Sequence, residues 1–324
     1  MLFRSDVLEE ILSSLHVVAL PLTTKFRGID LRETAIFQGP FGWGEFAPFL
    51  EYDDVESRPW LESAIEQAFS DRPTLHRNWI PINGTIPATN SQSEIETLVD
   101  HYLGAKVFKV KVGNALQEDL VRVARVRSCA PQAKIRLDVN GAWSFDEALR
   151  NIRAFYGEVV GEALEYVEQP VATLDELRLL KEKLEIDVKI AGDEILRKAR
   201  DPFAIDLKSA VDVLMLKVAP LGGIKRSLEL ARHHGIPVVV SSALESAVGI
   251  SHGLRLAASL ENLEYACGLA TGVLFTHDLG THTIVNGEIE VKEISPEGIE
   301  RYEVSAERLE WWKDRIKRIW QVMS

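Results

Sequence analysis

A parallel (β/α)8-type barrel carrying an N-terminal α+β capping domain is the α/β fold that this sequence predicts, on three observations. Short β-branched runs recur from about residue 80 at a step of roughly 25–30 residues, the length of one strand–helix unit. Helical apolar spacing fills the intervals between them. No Gly-rich phosphate turn follows the first run, as a doubly wound open sheet would call for. The capping domain covers residues 1–80, where stretches 16–20 and 33–37 alternate and a turn runs through Gly39, Gly42 and Gly44. Trp60, Leu61, Ala64, Ile65 and Phe69 then recur at helical spacing. The barrel covers 81–280, with strands expected at 82–86, 107–112, 135–139, 164–167, 188–191, 213–216, 237–240 and 264–267. Helices are expected at 94–102, 116–127, 145–155, 174–183, 204–208, 224–233 and 249–258. The tail, 281–324, shows a strand pair about Gly287 and a Trp-rich helix over 306–323. It has no strand–helix unit left to complete and is expected to fold back on the cap.

Charge and composition narrow the function. Forty-nine acidic against 37 basic residues give a net charge of −12, which disfavours nucleic acid and anionic membranes because both are polyanions. Hydrophobic residues make up 46% and charged ones 27%, as in an ordinary packed protein. Charged residues interrupt every apolar run before the roughly 18 residues of a spanning helix, and acids stand where an export signal needs its apolar core. Cys129 and Cys267 are far apart, lack a CxxC pattern and read as small buried apolar residues in a cytoplasmic protein. No obligate protein partner is implied.

The chemistry is expected at the C-terminal ends of the barrel strands. The second run ends in Lys109-Val110-Lys111, the third in Asp138-Val139-Asn140, the fourth in Glu168-Gln169, the fifth in Asp193-Glu194 and the sixth in Lys217. Each group alone is an ordinary solvated or helix-capping residue; the ordered set is the signal. Lys109 and Lys111, two apart on a strand, share a face. Carboxylates on three adjacent strands repel one another unless a hard divalent cation sits among them, and all-oxygen ligation suits Mg2+. Lysines on either side of such a metal, with pKa lowered by burial and by like charge, suit removal of a proton α to a carboxylate. His233 and His234 end a helix and read as dipole partners; Trp311 and Trp312 read as packing residues of the tail.

These residues resemble the enolase superfamily, in its muconate-lactonising subgroup, over essentially the whole chain. The stretches that carry the likeness are Gly42-Trp43-Gly44-Glu45, FKVKVG around Lys109, LDVNGAW around Asp138, YVEQP around Glu168, AGDE around Asp193 and LKVAPLGG around Lys217. The resemblance implies Lys111 as base, Lys217 facing it, and Asp138, Glu168 and Asp193 as ligands of Mg2+, for which Mn2+ can substitute. Glu194 is expected to point away from the ligand face. Further stretches, GPFGWGEFAPF, SSALESAVGISHGLRLAAS and CGLATG, resemble the o-succinylbenzoate synthase family, of actinobacterial type. That likeness implies a hydro-lyase of menaquinone biosynthesis acting on a small dicarboxylate. Asn140, Ser241, Ser242 and the cap residue Arg27 are candidate substrate contacts, Arg27 because its planar fork pairs with a carboxylate. The DE pair runs on as Ile-Leu-Arg, a departure from the serine that relatives often carry. N-acylamino-acid or dipeptide epimerase, muconate cycloisomerase and a catalytically silent scaffold barrel are the alternative functions. An epimerase usually places an acidic pair after the last strand, where 268–272 is uncharged, and a scaffold would lack one of the ligands or lysines.

Overall fold

The computed structural model describes residues 5–26 and 28–323. In the cap, α1 (Ser5–Ser13) precedes an antiparallel sheet of β1 (His16–Phe26), β2 (Ile29–Gly39) and β3 (Gly42–Phe46), and α2 (Asp54–Phe69) lies across it. Asp53 starts α2 by accepting the Glu56 N–H at 2.8 Å, a side-chain cap. Gly44 lets the helix lie close, because a Cβ there would collide with the Ala64 carbonyl.

A short strand β4 (Trp79–Pro81) leads into seven parallel strands. These are β5 (Gly84–Ile86), β6 (Val107–Lys111), β7 (Lys134–Asp138), β8 (Leu164–Glu168), β9 (Lys189–Gly192), β10 (Val213–Lys217) and β11 (Val238–Ser241), neighbours in chain order. Their connections carry α3 (Gln92–His101), α4 (Leu116–Cys129), α5 (Phe145–Ala154), α6 (Leu174–Lys183), α7 (Glu194–Arg197), α8 (Ile224–His234) and α9 (Ala247–Ser259). Buried runs such as Val238–Ser241 are apolar on both faces, as a parallel sheet under helices requires.

Two expectations change. The strand expected at 264–267 is reduced to parallel bridges, Cys267 with Ile82 just before β5 and Gly268 with Ser241 at the end of β11. The helix expected at 204–208 is absent. Asp201 accepts the Phe203 N–H at 3.0 Å and Asp206 the Lys208 N–H at 3.3 Å, so short side chains capture the backbone in turns. The four-residue α7 supplies the helical turn after β9 instead.

In the tail, β12 (Ile284–Val285) and β13 (Glu288–Glu290) turn at Gly287 and extend β4. Helix α10 (Ala306–Met323) buries Trp312, Ile316 and Ile319 in one cluster with Phe37, Phe46 and Trp60 of the cap. Trp312 Nε1 donates to Glu33 at 2.8 Å, and Arg315 donates to the Tyr52 carbonyl at 2.6 Å and to Ser57 at 2.7 Å. A second, larger cluster fills the barrel and its helices.

Cap and barrel meet at the start of α9. Glu45 of β3 accepts the Ser246 N–H at 3.0 Å, the Gly249 N–H at 2.8 Å and the Ser246 hydroxyl, while Asp278 accepts the Ala247 N–H at 3.0 Å. Carboxylates at a helix N-terminus satisfy its free N–H groups and its dipole. Beside them Glu245 accepts the Ala243 N–H at 2.6 Å, and the buried Arg32 donates to the Leu244 carbonyl at 3.1 Å. No helix among the described residues is long and apolar enough to cross a membrane.

Candidate active site

Strand register assembles the charges. Lys111 pairs with Asp138, Asp138 with Glu168, and Lys217 with Ser241, while Asp193 stands just past β9. Six ionisable groups from five neighbouring strands therefore meet at one mouth. Lys109 Nζ lies 3.0 Å from Asp138 and 3.2 Å from Glu168; Lys111 Nζ lies 2.7 Å from Asp138; Lys217 Nζ lies 2.6 Å from Asp193. Glu168 is 0% exposed and Asp138 and Asp193 each 1%, a degree of burial that acids tolerate only when paired.

The local fields act differently on the two lysines of β6. Burial pulls Lys109 down, but the charges of Asp138 and Glu168 outweigh it and hold Lys109 well above the ordinary lysine value. Lys111 comes out below that value: burial dominates, Asp138 opposes it, and the Lys109 charge adds to the lowering. Among the acids, burial raises Asp138, yet Lys109 and Lys111 reverse that and hold it well below the usual range. Asp193 is likewise held low by Lys217 and Arg197 against burial. Glu168 is pushed up to about 7 by burial and by the Asp138 charge.

Around this core a polar frame fixes the strand ends. Buried Gln169, with φ 42°, accepts the N–H groups of Asp193 and Ile195 at 3.1 Å. Asn140, with φ 53°, accepts from Lys111 and donates to Glu194 at 3.1 Å, and Glu194 also holds Arg197 at 2.7 Å. Glu194 thus lines the mouth through Asn140 rather than pointing away from it. Ser241 is buried beside Gly268, and Ser242 Oγ sits 2.9 Å from Thr271 Oγ1. Phe26, Phe49, Tyr52 and Trp60 of the cap roof the mouth. The free space beneath them is about 50 Å³, against the roughly 300–1,000 Å³ that ligand pockets occupy, so a bound substrate requires side chains to move.

Sequence reasoning gave no role to Arg197 or Gln169 and missed the aromatic roof. Arg197 stands three and four residues after Glu194 and Asp193, the spacing that brings side chains together on a helical turn. The roof has no local signature, because it exists only where the cap meets the barrel. Arg27 lies outside the described residues. His234 is buried away from the mouth, with Nε2 2.9 Å from the Pro202 carbonyl. Cys267 is buried, and burial pushes its thiol up to about 11.

Enzymes of the enolase superfamily use a divalent metal ion, and the donor chemistry here fits one. Asp138 Oδ1 and Asp193 Oδ1 are buried and accept no hydrogen bond, although Arg197 Nε lies 3.4 Å from Asp193 Oδ1, so each oxygen keeps a lone pair that a cation could use. Among the described residues no three acidic, His or Cys side chains are drawn together as a ligand set, since the lysines lie between the carboxylates.

Residues 92–299 match the family described as enolase C-terminal domain-like, and residues 17–68 the one described as enolase N-terminal domain-like. The chain is 45% identical over 315 residues to the o-succinylbenzoate synthase of Mycolicibacterium smegmatis, covering 95% of this chain and 96% of that protein. It is 44% identical over 322 residues to the o-succinylbenzoate synthase of Mycobacterium marinum, covering 98% and 96%. Among solved structures, the L-Ala-D/L-Glu epimerase of Bacillus subtilis superposes with a TM-score of 0.73 at 22% identity, over 90% of this chain and 97% of that one. The muconate lactonizing enzyme of Pseudomonas putida superposes with a TM-score of 0.70 at 17% identity, over 90% and 98%. These two likenesses carry the fold, and the curated relatives carry the subdivision within it. The chain belongs to the enolase superfamily, and within it to the o-succinylbenzoate synthase family.

Proposed function

We propose that this chain is a hydro-lyase that dehydrates 2-succinyl-6-hydroxy-2,4-cyclohexadiene-1-carboxylate to 2-succinylbenzoate, the product that the name of its relatives carries. The observation that carries the reading is the charge count at the mouth. With Lys111 neutral, as a base must be, Lys109 and Lys217 oppose Asp138, Glu168 and Asp193, so the six groups carry one net negative charge when Glu168 is ionised. A divalent cation with a dicarboxylate dianion leaves that sum unchanged, which a neutral or singly charged substrate does not.

Asp138, Glu168 and Asp193 would hold Mg2+, or Mn2+ in its place. The metal supplies charge that stabilises electron density moving into the substrate carboxylate. Lys111, its pKa lowered, takes the proton α to the carboxylate. It then returns that proton to the hydroxyl leaving from the same face, so water departs, the lysine is restored and the ring becomes aromatic. Lys217 faces the developing anion from the opposite side and steadies it by charge. Lys109 keeps Asp138 ionised and disfavours a second ammonium at Lys111. Asn140 orients the Lys111 amine through its carbonyl oxygen. Arg27, Ser241 and Ser242 are our candidates for the second carboxylate, and Arg27→Ala should raise KM more than it lowers kcat. We divide the chain into a cap (1–80), an eight-membered barrel (81–280) and a tail that returns to the cap (281–324), and place it in the cytoplasm. Purified protein with Mg2+ and the cyclohexadiene substrate tests the reading; absence of the aromatic absorbance would refute it. No observation favours the epimerase or cycloisomerase alternatives.

A further inference from the structure

Away from the barrel mouth, and sharing none of its lining residues, a cleft of about 510 Å³ opens between the cap and helices α8 and α9. Its size falls within the range of small-molecule sites. One wall is apolar: Phe41, 41% exposed, and Phe69 come from the cap, and Leu228 from α8. The rim is cationic within a chain of net charge −12. Arg72 and Arg255 share one carboxylate, Glu293, and neither Lys225 nor Arg232 has an ion-pair partner among the described residues. Burial pulls Arg72 below its ordinary value, the Glu293 charge opposing it and the Arg255 charge adding to it.

Two acids line the cleft: Asp71 is exposed, and Glu66 is already engaged. Glu66 accepts the first N–H groups of α8, from Ile224 and from Lys225 at 3.0 Å. His252, 3% exposed, lines the cleft with Nε2 3.3 Å from Glu66, while its Nδ1 is buried and makes no hydrogen bond. An exposed aromatic face beside unpaired cations describes the chemistry of the missing group: one apolar body and one anionic head.

We propose that this cleft binds a small amphiphilic carboxylate, its apolar body against Phe41 and Phe69 and its head between Lys225, Arg232 and Arg255. Because its walls come from both cap and barrel, an occupant ties the two together. Inorganic phosphate has the charge without the body, and a neutral aromatic alcohol the body without the charge. The test is calorimetric titration of the Mg2+-loaded protein with 1-naphthoate, 1-naphthalenemethanol and inorganic phosphate, repeated on the double variant Lys225→Ala/Arg232→Ala and on Phe41→Ser. We expect 1-naphthoate to bind more tightly than either other probe and to lose at least fivefold in affinity in each variant. Both variants lie outside the mouth, so turnover should stay at the wild-type level and the loss is assigned to the cleft. A smaller loss in the double variant, or equal affinity for the alcohol and the acid, overturns the proposal.

Discussion

At the barrel mouth Asp138 and Asp193 face ammonium groups, whereas at the start of α9 Glu45, Glu245 and Asp278 face backbone N–H groups and a single guanidinium, Arg32. Asp138, Asp193, Glu45 and Glu245 are buried and Asp278 is half-buried, yet the outcomes in the two regions are opposite. The lysines hold Asp138 and Asp193 low against burial. At the seam burial wins: Glu45 is raised, Glu245 is pushed up to about 7 with help from the Glu45 charge, and Asp278 also to about 7. A full charge a few ångströms away offsets desolvation, while oriented N–H dipoles offset only part of it. The mouth thereby keeps its carboxylates ionised for a cation, and the seam holds its own most stably when they carry protons. Glu168 is the exception at the mouth, because the Asp138 charge beside it adds to burial.

The sharpest break of this contrast is to remove charge at the mouth. Asp138→Asn should lower turnover by about 10³-fold or more and weaken Mg2+ binding, read by calorimetry. If Mg2+ affinity were unchanged in Asp138→Asn, Glu168→Gln and Asp193→Asn alike, the carboxylates would not be the ligands. Lys111→Ala should cost on the order of 10²–10⁴-fold in turnover and stop exchange of the substrate α-proton in D2O, since it removes the base. Lys109→Ala separates charge balance from proton transfer. It strips the ammonium shared by Asp138 and Glu168 and should destabilise the fold by about 3–5 kcal/mol, more than Lys111→Ala, in urea denaturation.

The smallest effect belongs to the seam and depends on pH. Glu245 binds its proton more tightly folded, at about 7, than unfolded, near 4.5. Between those values the folded state holds the extra proton, so stability falls as pH rises from about 4.5 through 7. Glu245→Gln removes that titration. The variant should therefore be more stable than the wild type at pH 8 by about 2–3 kcal/mol, with the gap closing toward pH 4.5. Equal urea midpoints for the two proteins at both pH values would place Glu245 in contact with water.

What could be read in the sequence was whatever is local along the chain. The run Val213–Lys217 is apolar up to a charged final residue, so strand and strand end are visible together. The segment 204–208 misled because its apolar spacing fits a helix, while Asp201 and Asp206 divert the backbone into turns. Stretch 264–268 misled in a different way: its pairing is confined to Cys267 and Gly268, and a Cβ at Gly268 would come within 2.6 Å of Ser241 Oγ. The frame around the acids was invisible for want of a pattern. Gln169 and Arg197 are single polar residues whose partners are set by three-dimensional proximity, and Phe49 and Trp60 reach the mouth only through docking of the cap.

Helix α10 bears on how such a chain is made. Phe37, Phe46 and Trp60 share their core with Trp312 and Ile316, and the hydrogen bond from Arg315 to the Tyr52 carbonyl spans 263 residues. At roughly 5–20 residues per second of synthesis, about 13–50 s separate the emergence of that aromatic surface from that of its cover. For that interval β1 to β3 present an unsealed apolar face, the part of the nascent chain most open to aggregation and to chaperones. A permuted chain that begins with residues 306–323 would remove the interval, at the cost of cutting the chain between α10 and the Ser305 that caps it.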